Sequence, residues 1–184
     1  MEHITLYHTG FQKIERPDIH IGRANADFGQ GFYLSDNGDF SRRWARSRRG
    51  ETTWLNTYTL ALDGLQVKRF ERDAEWFDYI YNRRAKDLLE ADVVVGPIAN
   101  DTIFDTFGII SSGYLRPGDA LDLLMIGPEY TQVAVKTDRA AAQLKWLGAE
   151  TVTDAAAHAA ALRGEREEYD RLFAAALDRL RAAR

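Results

Sequence analysis

The sequence predicts an α+β fold with a helical tail, and three observations predict it. TWLNTYTLAL (53–62) alternates with a period of two, which is strand periodicity. In 74–90, by contrast, Trp76, Phe77, Ile80, Tyr81, Leu88 and Leu89 recur at helical spacing. Such segments follow one another in mixed order rather than as the regular βα repeat of a doubly wound sheet.

ITLYHTG (4–10) reads as a short strand ending at a Gly turn. Residues 11–30 carry Pro17, Gly22 and Gly29 among polar residues and read as a long, shaped loop. GFYLS (31–35) is too apolar for a free loop. Asp36 or Asn37 then caps a helix over 39–48, with Phe40 and Trp44 at i and i+4 and Gly50 where it stops. After the 53–62 strand, Asp63-Gly64 turns the chain into LQVKRF, a hairpin partner for that strand. The amphipathic helix 74–90 presents Trp76, Phe77 and Ile80 to the core. DVVVGP (92–97) is a buried strand closed by Gly96-Pro97, and short helices follow at 101–107 and 118–126. TQVAVKT (131–137) is a strand. Asp138 caps a helix over 139–147, and ETVT (150–153) is a last strand.

From Asp154 onward Ala, Arg, Glu and Leu dominate, and Tyr169, Leu172, Phe173, Ala176, Leu177 and Leu180 form one stripe. This is a helical tail, with Gly164 as a point where it can break. Either the stripe packs on its own domain or it is a surface for a partner chain or a homodimer. The expected organisation is thus a domain over 1–153 and a helical extension over 154–184.

Composition narrows the chemistry. The 184 residues, 45% hydrophobic and 28% charged, suit one domain with an appendage and exclude wholesale disorder. With no cysteine there are no disulfides, thiolate metal sites or Cys nucleophiles, and four His without HxH or HExxH spacing argue against a zinc centre. MEHITLYHTG is neither basic nor apolar enough for a signal peptide, and no apolar run approaches the roughly 20 residues of a membrane span, so a cytoplasmic protein is expected. The net charge of −4 gives no general basic footprint for nucleic acid. Five Arg lie within 42–49, however (Arg42, Arg43, Arg46, Arg48, Arg49), and these either meet a phosphate backbone or form a solvated helix face.

Four short segments carry residues suited to binding. In DFGQGFYLS (27–35), glycines allow close backbone approach and two aromatics offer a stacking face for a nucleotide or pyridine ring; the alternative is a Gly-rich bulge leading into a core strand. LYHTG (6–10) puts an imidazole and open backbone groups at a strand end, where a structural His is the alternative. VVVGPIAND (93–101) delivers Asn100 and Asp101 just past a buried strand, either for binding or as an Asx turn. Gln132 opens the TQVAVKT strand.

In order and spacing, LYHTG, a GR pair, DFGQGFYLS, WFDYIYNRR, VVGPIAND and TQVAVKT resemble the DUF3990 family of small bacterial proteins in the ADP-ribosyltransferase superfamily, from about residue 4 to residue 147. The resemblance implies a split β-sheet core of the diphtheria-toxin and poly-ADP-ribose-polymerase kind, with NAD as substrate. It implies that His8 hydrogen-bonds the adenine-side ribose, that the backbone of Gly10 holds the nicotinamide amide, with Thr9 a further NAD contact, and that Tyr33 stacks on the nicotinamide ring. Asp27, Gly29 and Gly31 would shape that wall, and Arg23 would reach the pyrophosphate. Where the superfamily has a catalytic Glu, this sequence has Gln132, with Glu129 and Asp101 as substitutes; Asn100 and Asp101 are candidate NAD contacts. The implied activity is mono-ADP-ribosyl transfer to a protein or nucleic-acid acceptor, in a toxin with an antitoxin partner or a defence effector. Catalytically weak NAD or nucleotide binding through a partner, and NAD glycohydrolysis, are the alternatives.

Overall fold

A computed structural model describes residues 3–80, 88–99 and 116–182, and its fold is α+β. Seven strands form a sheet in the order β4-β5-β6-β2-β1-β3-β7. They are β1 (His3–Gly10), β2 (Phe32–Ser35), β3 (Trp54–Ala61), β4 (Val67–Arg69), β5 (Val93–Pro97), β6 (Thr131–Val135) and β7 (Leu144–Thr151). The described helices are α1 (Gly38–Arg43), α2 (Ala74–Asp78), α3 (Pro117–Leu124), α4 (Asp138–Gln143) and α5 (Ala155–Ala182), with one 3₁₀ turn at Ile19–Ile21. Because side chains alternate across a strand, Val93, Val133 and Val135 join a cluster with Leu6, Phe32, Leu34, Tyr58 and Leu60 on one face. Val94 and Ala134 join Phe28, Trp76, Ile80 and Leu123 on the other.

The junction of β1 and β2 shapes everything around it. β1 runs alongside β3 for its full length, from His3↔Ala61 to Gly10↔Trp54. It meets β2 through one pair, Tyr7↔Ser35. The sheet therefore consists of two lobes, β4-β5-β6-β2 and β1-β3-β7, hinged at that pair.

Several expected elements are corrected. Residues after the Asp63-Gly64 turn do not form a hairpin with β3, whose edges are occupied by β1 and β7. The chain instead crosses to the far edge, where β4 pairs with β5 in parallel. The helix expected over 139–147 ends at Gln143, and Leu144 begins β7, with Leu144 and Trp146 opposite Leu60 and Tyr58 of β3. Its cap is Thr137, whose hydroxyl accepts from Ala140 N at 3.2 Å, not Asp138. Asn37 does cap α1, accepting from Phe40 N at 2.9 Å, but that helix ends at Arg43 rather than 48. Past it, the Arg46 carbonyl accepts from the Thr53 hydroxyl at 2.7 Å instead of continuing the helical ladder.

The helix expected over 74–90 begins at Ala74, capped by Asp73, and carries Trp76 and Ile80 into the core, but residues 88–90 are not helical. The 101–107 helix lies outside the described residues. α5 runs unbroken through Gly164. Its stripe packs on the chain's own core: Tyr169 and Phe173 are buried against the Trp76 and Leu123 cluster, with Ala176, Leu177 and Leu180 beside them.

A buried carboxylate ties the far lobe together. Asp92 accepts from Gln66 N and from the Thr137 hydroxyl, each at 2.7 Å, and pairs with Arg139. The Arg139 guanidinium and these donors hold its pKa down to about 2. A carboxyl whose folded pKa lies below its unfolded value of about 3.9 stabilises the fold above that value and loses the contribution as pH falls through about 2. Asp92→Asn is therefore expected to remove that part of the acid-unfolding profile, measured by circular dichroism between the two values. Gly164 has no neighbour within 4 Å of an added Cβ. Gly164→Ala should accordingly raise stability by about 0.5–1 kcal/mol, read from the denaturant midpoint.

Candidate functional site

Beyond Tyr7↔Ser35, the edge of β1 facing β2 has no ladder partner, so backbone groups there need others. The His8 side chain answers this need: its Nδ1 donates to the Tyr33 carbonyl at 2.8 Å. Because that partner is an acceptor, Nδ1 carries the proton and Nε2 is left as an acceptor. Burial lowers the His8 pKa below 6.5, with the Tyr33 carbonyl offsetting only part of the shift, so the ring is neutral at pH 7. Phe32 lies against it, ring centroids 4.5 Å apart.

Tyr33 is fixed by its own hydroxyl, which donates to Gly29 O at 2.7 Å and accepts from Phe28 N at 2.9 Å. The ring is thus locked to the loop that the glycines shape. Gly29 has φ of 80°, in the left-handed region. A Cβ on Gly31 would come within 2.7 Å of the Val135 carbonyl, and one on Gly22 within 2.1 Å of the Gly31 carbonyl. The loop lies flat on β6 only because these positions lack side chains.

Gln132 and Asp27, 105 residues apart, are both buried and bonded, Nε2 to Oδ2 at 2.8 Å. Gln132 Nε2 also donates to Pro97 O at 3.1 Å, and Asp27 Oδ2 also accepts from Ala99 N at 3.3 Å. With two acceptors facing Nε2, the orientation of the amide follows from its partners: the nitrogen points inward and Oε1 points away from the carboxylate.

These side chains converge on one cleft of about 580 Å³. His8, Arg23, Asp27, Gly31, Tyr33 and Gln132 line it, together with Ile14, Asp18, Ile21, Asn25, Phe32 and Ile98. Arg23 is exposed and forms no ion pair among the described residues, so its guanidinium is open to an anionic ligand. Six expected site residues therefore come together from β1, the loop, β2 and β6. Thr9, Gly10 and Gly29 lie beside the cleft rather than in its lining, and Gly10 is close enough that an added Cβ would be 3.7 Å from His8 Nε2. Glu129 is exposed and does not line the cleft. Asn100 and Asp101 lie outside the described residues.

Sequence reasoning missed the anchors of the cleft's apolar wall. Asn56 is fully buried; its Oδ1 accepts from Ile14 N at 2.9 Å and its Nδ2 donates to Gln12 O at 3.0 Å. The Tyr58 hydroxyl donates to Ile14 O at 2.6 Å. A polar residue in the middle of an apolar strand face is the one signal that marked Asn56. Within the Arg cluster, Arg42 pairs with Asp39 and Glu150, Arg43 with Glu165, and Arg48 with Glu51, while Arg46, Arg48 and Arg49 are exposed.

A family model described as a protein of unknown function (DUF3990) matches residues 4–146. The chain belongs to this family. No curated protein matches it. The DUF3990 match covers every residue described above in the cleft, from His8 to Gln132, and ends inside β7. Among the described residues no helix is long and apolar enough to cross a membrane.

Tyr33→Phe removes the hydroxyl shared by Phe28 N and Gly29 O. It is expected to cost about 1–2 kcal/mol and to lower the thermal midpoint by a few degrees, with faster amide exchange at Phe28 as the local signature.

Proposed function

We propose that this protein is an NAD-dependent mono-ADP-ribosyltransferase acting on a protein or nucleic-acid acceptor, as the toxin of a toxin–antitoxin pair or a defence effector in the cytoplasm. The observation that carries the reading is the convergence of His8, Tyr33 and Gln132, from three neighbouring strands, on one cleft with Arg23 at its rim.

The reaction asks little acid–base chemistry of the protein. The bond between C1′ of the nicotinamide ribose and the ring nitrogen breaks. Its electron pair leaves with nicotinamide, and an oxocarbenium-like ribosyl cation develops. An acceptor nucleophile then bonds to C1′ and gives its proton to solvent. Binding must hold both ends of NAD and exclude water while the cation forms. In this reading the neutral His8 accepts a ribose hydroxyl at Nε2, and the Tyr33 ring, immobilised through its hydroxyl, stacks on nicotinamide. Arg23 meets the pyrophosphate, and Gln132 Oε1 accepts the nicotinamide-ribose 2′-hydroxyl.

A second reading, NAD binding with little turnover, rests on the uncharged amide at Gln132. Water as acceptor would make the protein an NAD glycohydrolase.

Incubation with labelled NAD and candidate acceptors, beside a His8→Ala/Tyr33→Ala double variant, tests the proposal. Label transfer by the wild type, reduced by about 100-fold or more in the variant, is the expected result. Equal labelling by both proteins would defeat it. Binding by calorimetry without nicotinamide release over hours would favour the second reading.

A further inference from the structure

We propose that Asp27 supplies, through the Gln132 amide, the negative charge that position 132 itself lacks. The inference rests on the transferase reading above and concerns how its cation is stabilised.

Gln132 can hydrogen-bond a sugar hydroxyl but carries no charge. Directly behind it, however, stands a carboxylate. The Asp27 Oδ2 to Gln132 Nε2 bond is 2.8 Å long, and both residues are buried. Neither partner is loosely placed. Asp27 Oδ2 is also held by Ala99 N, just past β5, and Gln132 Nε2 by Pro97 O at its end. The Phe28 and Gly29 backbone next to Asp27 is fixed by the Tyr33 hydroxyl.

The amide then transmits charge in one direction. A carboxylate accepting from an amide N–H draws positive character toward the nitrogen and leaves the carbonyl oxygen more negative, a cooperative polarisation that is strongest away from water. Oε1, turned away from Asp27, becomes a stronger acceptor. The carboxylate's own field also reaches the cleft, which Asp27 helps to line. Together the pair offers hydrogen-bond acceptance at position 132 and negative charge one residue behind it. Asp27 is thus a positioning and polarising residue rather than a group that must touch the reacting carbon.

The test compares NAD turnover, measured as nicotinamide release, in the wild type, Asp27→Asn, Gln132→Glu and the Asp27→Asn/Gln132→Glu double variant. Thermal unfolding of each is recorded alongside. Asp27→Asn keeps an acceptor for Gln132 but no charge, so kcat should fall by about tenfold or more while KM changes by less than about threefold. Gln132→Glu alone places two carboxylates at hydrogen-bond distance and should lower the unfolding midpoint. The double variant returns one charge to the pair, with the new amide at position 27 donating to the new carboxylate at position 132, and should raise kcat well above that of Asp27→Asn. A purely structural role for Asp27 predicts instead that kcat of Asp27→Asn falls only together with its unfolding midpoint. An Asp27→Asn protein as active as the wild type, or a folded double variant as impaired as Asp27→Asn, would overturn the inference and leave the transferase reading standing. If Asp27→Asn alone does not fold, the double variant decides by the same criterion. A wild type that releases no nicotinamide would overturn both.

Discussion

Two strands that pair at a single point leave backbone groups without ladder partners, and here a side chain fills the gap. Past Tyr7↔Ser35, β1 and β2 no longer exchange ladder bonds, and the Tyr33 carbonyl is taken by the His8 ring. The same bond fixes the tautomer of His8 and holds its second nitrogen open to the cleft, while burial keeps the ring neutral. The residue that closes the gap between the strands therefore also lines the cleft. The opposite side of the gap is built in the same way. Tyr33 commits its hydroxyl to the 28–29 backbone, and the glycines let that loop lie against β6.

Much of this architecture is legible in the chain. Period-two alternation marks β3, and short apolar runs mark β1, β5 and β6. The HTG, GR and DFGQGFY segments, read together with the TQVAVKT strand, point to His8, Arg23, Asp27, Gly31, Tyr33 and Gln132, and these six line one cleft. What escapes the sequence depends on partners distant along it. The Asp63-Gly64 turn forms, with Gly64 in the left-handed region, but a local signal says nothing about which sheet edges are already occupied. Leu144–Trp146 follows an Ala-rich turn and reads as its continuation until β3 is seen to need an edge partner. The bond between Asp27 and Gln132 spans 105 residues and has no local signature.

Charge is distributed differently from what the linear sequence suggests. Two of the Arg in the 42–49 run bind α1 to its surroundings: Arg42 reaches Glu150 at the end of β7, and Arg43 reaches Glu165 on α5. Glu165 also accepts from the Tyr130 hydroxyl at 2.9 Å, just ahead of β6. The N-terminal part of the cluster is thus tied into the fold while Arg46, Arg48 and Arg49 stay exposed, and Arg23, elsewhere in the sequence, stands at the cleft.

The course of α5 bears on where this protein ends as a unit of inheritance. The family's shared segment stops at residue 146, two residues beyond the start of β7. Yet β7 continues along β3 to Thr151, and α5 then returns to place Tyr169 and Phe173 in the core against α2 and α3. A gene fragment trimmed to the shared segment would leave most of β3's outer edge bare and a greasy trench where the tail had lain. A chain that shared residues 4–146 but lacked α5 would need some other covering for that trench.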